Sequence, residues 1–298
     1  MSAPAAPRAL VIGDVMIDYI VRLEGPIAVG SDRRASIASR AGGSAANQAA
    51  WLAHFGAAVD FVGRVGAADR RHESELLREA GVEPALTGDA HLETGRLIAL
   101  VDPDGERSFL TDRGANDGLE AADIPEALIA GAAIIHLSGY SFVAPSPRAA
   151  MIDVIARAAG RPIGVDPASA EFLREIGVEN FLAWTRGATM LFPNSDEAAV
   201  LAETEDPEAQ CAFLAARYPL VVIKRGAKGC EAIEGERRWR VAAPAARALD
   251  STGAGDAFVA GFLAGRLSAE PIEKCLQQAV AAGAAATEIV GARPPPRN

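Results

Sequence analysis

Short apolar runs recur along the chain, each bounded by small, polar or proline-containing segments. ALVIG (9–13), VDFVGRV (59–65), AAIIHLS (132–138), PIGVD (162–166), TMLFPN (189–194) and PLVVIK (219–224) have the length and continuous hydrophobicity of buried strands. Between most of them apolar residues return at helical spacing. This predicts helices over 45–56, 69–80, 146–159, 195–203, 207–217 and 255–290, the last broken near Pro271. Strand and helix in alternation give an α/β fold with a mostly parallel central sheet. Ligands of such sheets sit at the carboxyl ends of the strands.

Two stretches depart from this rhythm. Residues 16–41 alternate apolar and polar positions without a good helix, and 95–114 read as a hairpin around the turn DPDG. Together they are expected to pair as a small antiparallel sheet projecting from the main body. Such a sheet exposes an apolar face, which must cover a substrate or a second subunit. The tail GARPPPRN is low in complexity and is expected to be loose.

Length and charge narrow the functional classes. A chain of 298 residues has ample length for one large α/β core. Its net charge of −10 argues against nucleic acid as a partner, and any anionic ligand must be held by local groups. The apolar runs stop short of the ~18 residues of a membrane-spanning helix. The start, MSAPAAPRAL, lacks the basic and apolar regions of a signal peptide. Cys211, Cys230 and Cys275 are odd in number and far apart, which speaks against a disulfide framework or a cysteine metal site. The cytoplasm is the expected compartment, with no membrane partner.

The chemistry is approached first by exclusion. There is no P-loop, no G-x-S-x-G elbow and no H-E-x-x-H, and His136 reads as a hydrogen-bonded core histidine. DSTGAGDAF (250–258) stands directly before a strongly apolar helix. Gly253, Ala254 and Gly255 would leave the unpaired N–H groups of that helix uncovered for an anion, with Asp256 planted among them. A glycine turn capped by Asp256 explains the same residues equally well. Four further stretches fall at strand ends or helix starts. GDVMIDYI places Asp14 and Asp18, GGSAANQA places Gly42, Gly43 and Asn47, NSDE places Asn194 and Glu197, and IKRGAKG places Lys224, Gly226 and Gly229. Each has a bland reading of its own, as a turn, a capping box or a solvated charge.

The five stretches in this order resemble the ribokinase-like (PfkB) family of carbohydrate and nucleoside kinases over essentially the whole chain. DSTGAGD departs from the family's C-terminal signature only at Ser251, and GGSAANQA matches its glycine pair and asparagine. Ser44 stands where ribokinases proper often carry lysine. The resemblance implies a three-layer αβα domain spanning 1–298, with 16–41 and 95–114 as a lid that often makes a homodimer contact. It implies transfer of the ATP γ-phosphoryl to a hydroxyl of a small sugar. A nucleoside kinase or a non-catalytic sugar binder on the same fold are the alternatives. Tyr19 is the one aromatic of 16–41, which favours a sugar over a stacked base. By the same resemblance, Asp256 is the base and Gly253–Gly255 the anion hole. Asp18, Gly42, Gly43 and Asn47 bind the sugar. Asn194 and Glu197 act on Mg²⁺ and phosphate through water. Lys224, Gly226, Gly229 and Thr252 meet ATP, and the Asp250 and Thr252 carbonyls hold a monovalent cation such as K⁺. Placement of Asp256, rather than a raised pKa, is expected to matter.

Overall fold

The computed structural model describes residues 6–295 apart from Gly105 and Ala159. The first five residues, the last of DPDG, the predicted helix end at 159 and the last three of the tail therefore lie outside the described residues. Strands β1 (Arg8–Ile12), β4 (Ala58–Gly66), β5 (Val82–Asp89), β8 (Ala132–Ser138), β9 (Ile163–Asp166), β10 (Met190–Leu191), β11 (Leu220–Lys224), β12 (Cys230–Glu234) and β13 (Arg237–Val241) form one sheet. Its order is β13-β12-β11-β10-β9-β8-β1-β4-β5, parallel from β11 to β5 and closed at one edge by the antiparallel β12–β13 hairpin. A second sheet holds β2 (Met16–Leu23), β3 (Ala35–Gly42), β6 (Gly95–Val101) and β7 (Arg107–Asp112) in the order β3-β2-β6-β7.

Helices cover both faces of the large sheet. They are α1 (Ser44–His54), α2 (Arg70–Glu79), α3 (Glu126–Gly131), α4 (Pro145–Arg157), α5 (Ala170–Ile176), α6 (Val178–Trp184), α7 (Ser195–Ala202), α8 (Pro207–Ala215), α9 (Ala254–Leu267) and α10 (Ile272–Thr287). Side chains alternate across a strand, so β1 feeds two cores at once. Ala9 and Val11 pack with α1, α9 and α10, while Leu10 and Ile12 pack with α4 and its neighbours. This is why the parallel strands read as continuous apolar runs. Phe262 of α9 is fully buried edge-to-face on Phe192, and each such ring contributes about 1.5–3 kcal/mol of burial.

The structure adds what periodicity did not show and corrects two readings. β5 carries Pro84 and lies at the sheet edge, and β12–β13 alternate charged with apolar residues, so neither resembles a buried run. The strand expected over 189–194 shrinks to Met190–Leu191, because Pro193 has no N–H for a ladder, although Asn194 still bridges to Lys224. The small sheet is mixed rather than antiparallel: β2 pairs with β3 and β6 with β7 antiparallel, but β2 and β6 run parallel. The long path through α1, β4, α2 and β5 between β2 and β6 permits that direction.

Asp14, just past β1, joins sheet to helix. Gly43 precedes α1 with no side chain to cap it, and Asp14 caps it from a distance. Its Oδ2 accepts from Ser44 N at 2.9 Å, and its Oδ1 from Ala45 N at 3.4 Å and Ser138 Oγ at 2.9 Å. Asp14→Ala should lower stability by about 1–3 kcal/mol, since buried donors lose their acceptor. The urea midpoint measures this, and an unchanged midpoint would show that α1 needs no such cap.

Candidate active site

Because its strands are parallel, the large sheet presents Asp14, Ser138, Asp166 and Lys224 along one edge, at or just past strand carboxyl ends. The small sheet hangs over this edge. Buried Asn116 pins it there, accepting from Val15 N and donating to the carbonyls of Val15 and Arg113, each at 2.9 Å.

Two helix N-termini meet in the cleft. Asp256 lies in the first turn of α9, which no side chain caps. Its Oδ1 accepts from Ser44 Oγ at 2.7 Å and its Oδ2 from Asn47 Nδ2 at 3.1 Å, both from the first turn of α1. The positive ends of both helix dipoles thus face one carboxylate. The carboxyl does not keep its ordinary value. Burial is the largest influence and Asp166 adds to it, outweighing the bonds from Ser44 and Asn47 and the charge of Lys224, so the Asp256 carboxyl is pushed up to about 7.

In front of α9 the space is open. A Cβ on Gly255 would meet only Lys224 Nζ, at 3.8 Å. Lys224 is nearly buried and donates to Asp166 Oδ2 at 2.8 Å. Burial lowers its pKa, but Asp166 and Glu197 more than offset that and the ammonium stays charged. On the other side lies Asp18, whose Oδ1 is buried without a partner. Burial and Asp14 push its carboxyl up to about 6 against the opposing charge of Arg293. Gly42 and Gly43 are glycines for local reasons. A Cβ on Gly42 would lie 2.2 Å from the Asp18 carboxyl, and Gly43 has φ 90° with the Asp14 carbonyl 2.5 Å from its missing Cβ.

The model of the pfkB family of carbohydrate kinases matches residues 6–298. The chain belongs to that family. This pfkB kinase is 32% identical over 294 residues to an ATP-dependent ribose-1-phosphate kinase of Halopiger xanaduensis, covering 97% of this chain and 95% of that one. An adenosine kinase from Sinorhizobium meliloti superposes with a TM-score of 0.89 at 26% identity, covering 97% and 96% of the two chains. Arabidopsis thaliana ribokinase, solved with ribose and ATP, gives 0.80 at 28% identity, covering 96% and 94%. The protein is an ATP-dependent carbohydrate kinase on the ribokinase fold, with a small sheet beside the main αβα layers.

The other predicted positions separate into those in the cleft and those around it. Gly253 has φ 77° and backs onto Ala292, so it shapes the turn that starts α9 at Ala254. Gly226, φ 57°, opens onto empty space, whereas a Cβ on Gly229 would lie 2.0 Å from the Val241 carbonyl. Gly229 is thus accounted for by the β12–β13 hairpin alone. The NSDE motif of this pfkB kinase is a complete capping box. Glu197 accepts from Asn194 N at 2.8 Å and Nδ2 at 2.6 Å, and Asn194 Oδ1 accepts from Glu197 N at 2.9 Å. Glu197 is 1% exposed with both oxygens engaged, and no cluster of three acidic, histidine or cysteine residues among the described residues forms a metal cage. Glu197 therefore does not fit as a direct Mg²⁺ ligand. Asp250 ties its own loop, accepting from Thr252 N and Oγ1 and from Gly291 N. Any cation role for these two residues is confined to their backbone carbonyls.

Sequence reasoning missed Ser44, Asp166, Gln48 and Arg293. Asp166 ends the run PIGVD, and a carboxylate at the end of a buried parallel strand is a signal that was available. Gln48 donates to Asp166 at 3.3 Å, which turns its Oε1 toward His136 Nε2 at 2.8 Å. Burial holds His136 down to about 4, so it is neutral and donates through Nε2. The expectation of a loose tail is corrected for Ala292 and Arg293, while 296–298 lie outside the described residues. Trp51 Nε1 donates to the Ala292 carbonyl at 2.9 Å, and Arg293 reaches the Gly42 carbonyl and Asn47.

The raised Asp256 carboxyl sets a sign for stability. The folded state favours its neutral form, so this contribution is complete below the ordinary value of 3.8 and is lost as pH rises toward about 7. Asp256→Asn removes that loss. Its melting temperature should equal that of the wild type near pH 4 and exceed it increasingly up to pH ~8. A difference independent of pH would contradict the burial of the charge.

Proposed function

We propose that Asp256 is the general base of this kinase and that the cleft takes a small neutral sugar on its Asp18 side and ATP on its Lys224 side. The observation that carries this is the carboxylate fixed where α1 and α9 meet, with open space before Gly255. In the step, the sugar hydroxyl oxygen attacks the γ-phosphorus, its proton passes to Asp256, and ADP leaves. The N–H groups of Gly253 and Gly255, with Lys224, would face the charge on the transferring group, whereas the Ala254 N–H, expected among them, is already bonded to the Ser251 carbonyl at 3.2 Å. Asp18 Oδ1, Asn47 and the backbone at Gly42 and Gly43 supply acceptors and donors for vicinal hydroxyls. On this side Arg113 lies 3.8 Å from Asp14 and Arg293 opposes the charge of Asp18, so the charges offset one another, which suits a neutral polyol. Asn194 and Glu197 would reach Mg²⁺ through water only, and the ion would offset the charge of the nucleotide phosphates. K⁺ at the Asp250 and Thr252 carbonyls would brace the start of α9, and the Asp250 carboxylate supports this by holding both flanking segments. Among the described residues no helix is long and apolar enough to cross a membrane. An ATP-consuming reaction is in keeping with the cytoplasm as the proposed compartment.

The test is ADP release with ribose, fructose, ribose 1-phosphate and adenosine as acceptors. A free sugar should be the best of the four, and adenosine as best would favour the nucleoside reading, to which exposed Phe109 of β7 could contribute. With the best acceptor, Asp256→Asn should lower kcat by about 10²–10⁴-fold while ATP binding holds. Retained turnover would remove Asp256 from the role of base.

We also propose that two copies pack through the small sheet. Register places Tyr19, Val21, Ile37, Ile98 and Leu110 on the face opposite Asp18. Ile37, Ile98 and Leu110 are 65%, 37% and 57% exposed. A contiguous apolar face of this kind calls for cover. Sedimentation should show a dimer that Ile98→Lys with Leu110→Glu converts to monomer. A wild-type monomer at all concentrations would end this reading.

A further inference from the structure

We infer that Arg293 is a positioning residue of the acceptor site, holding the Asn47 amide in the one orientation that keeps Asp256 ready to accept a proton. The inference rests on Asp256 as base, but its geometry stands independently. Arg293 Nε lies 3.4 Å from Asn47 Oδ1, and Nη2 donates to the Gly42 carbonyl at 3.2 Å. A guanidinium only donates, so Asn47 must turn its carbonyl oxygen toward it. The amide nitrogen is then directed at Asp256 Oδ2, 3.1 Å away. The Trp51 bond to Ala292, next in the chain, anchors the arginine.

The consequence concerns two amide orientations. As held, Asn47 donates and favours the carboxylate. Rotated by half a turn, it would present an oxygen, which accepts from the protonated acid and so favours the form that cannot act as base. A carboxyl that burial has already pushed up to about 7 is sensitive to that choice. The other groups around Asp256 are Ser44 of α1, Asp166 at the end of β9, Lys224 of β11 and Tyr140 after β8, and none of them touches the Asn47 oxygen. Burial lowers the pKa of Arg293 itself, and Glu73 of α2 and Asp18 of β2, which face it, oppose that lowering in part. Arg293 in turn favours ionised Asp18, which links the tail to sugar binding as well.

The experiment is a carbon-13 titration of the Asp256 carboxyl in aspartate-labelled protein, assigned by its absence in Asp256→Asn. Arg293→Met should move the midpoint up by about one pH unit, and Arg293→Lys, which still donates, should restore most of it. The acid limb of kcat, with the best acceptor of the panel, should move with it. KM for that acceptor should rise about tenfold or more while KM for ATP holds. A residue that only braces the tail would lower the melting temperature without moving the midpoint, and that result overturns the inference. If Arg293→Met does not fold, Arg293→Gln keeps the packing, and because its amide can donate only through its nitrogen at shorter reach, it should still shift the midpoint upward. An unshifted midpoint there also overturns the inference. A shifted midpoint with an unshifted acid limb would retain Arg293 as the positioning group and instead discard Asp256 as the base.

Discussion

The cleft depends on one carboxylate held between two helix N-termini. Asp256 is taken out of water, which raises the cost of its charge, and it is met by Ser44, Asn47 and two positive dipole ends, which lower it again. Burial outweighs these bonds, and the carboxyl is pushed up to about 7. It also locks α1 to α9 across 209 residues of sequence, and these two helices carry the small-residue contacts of one of the two cores. The placement of this carboxylate and the packing of the two helices are therefore not separable in this molecule.

That carboxylate can be placed only because other charges are arranged around it in order. Asp166 neutralises Lys224, Gln48 steadies Asp166, and His136 stays neutral behind Gln48. The chain of bonds runs from the sheet interior to the cleft edge with each donor matched to an acceptor. The ammonium is thereby kept at the anion side without leaving a buried charge unpaired.

The second sheet solves a different problem. Asp18 sits on its inner face over Gly42, while its outer face carries aliphatic side chains. Alternation along β2 produces both faces from consecutive residues, so the cleft-facing carboxylate and the apolar surface are built by the same strand. Asn116 fixes where this sheet leaves the main body, through a 101-residue separation that closes its entry against its exit.

The sequence alone determined the alternation of strand and helix, the direction of most of the large sheet, the existence of a small second sheet and several of the segments that meet in the cleft. Those features follow from local periodicity and from glycine at positions where a Cβ has no room, and both are written in consecutive residues. Tertiary structure decided the rest. The partners of Asp256, the pairing of Lys224 with Asp166, the parallel register of β2 on β6 and the place of Arg293 all join residues tens to hundreds of positions apart. The same is true of Gly229, whose missing side chain makes room for Val241, and of Glu197, whose carboxylate closes on its own helix start. A pKa near neutrality was equally out of reach, since it comes from how much water and how many charges surround a group once the chain has closed around it.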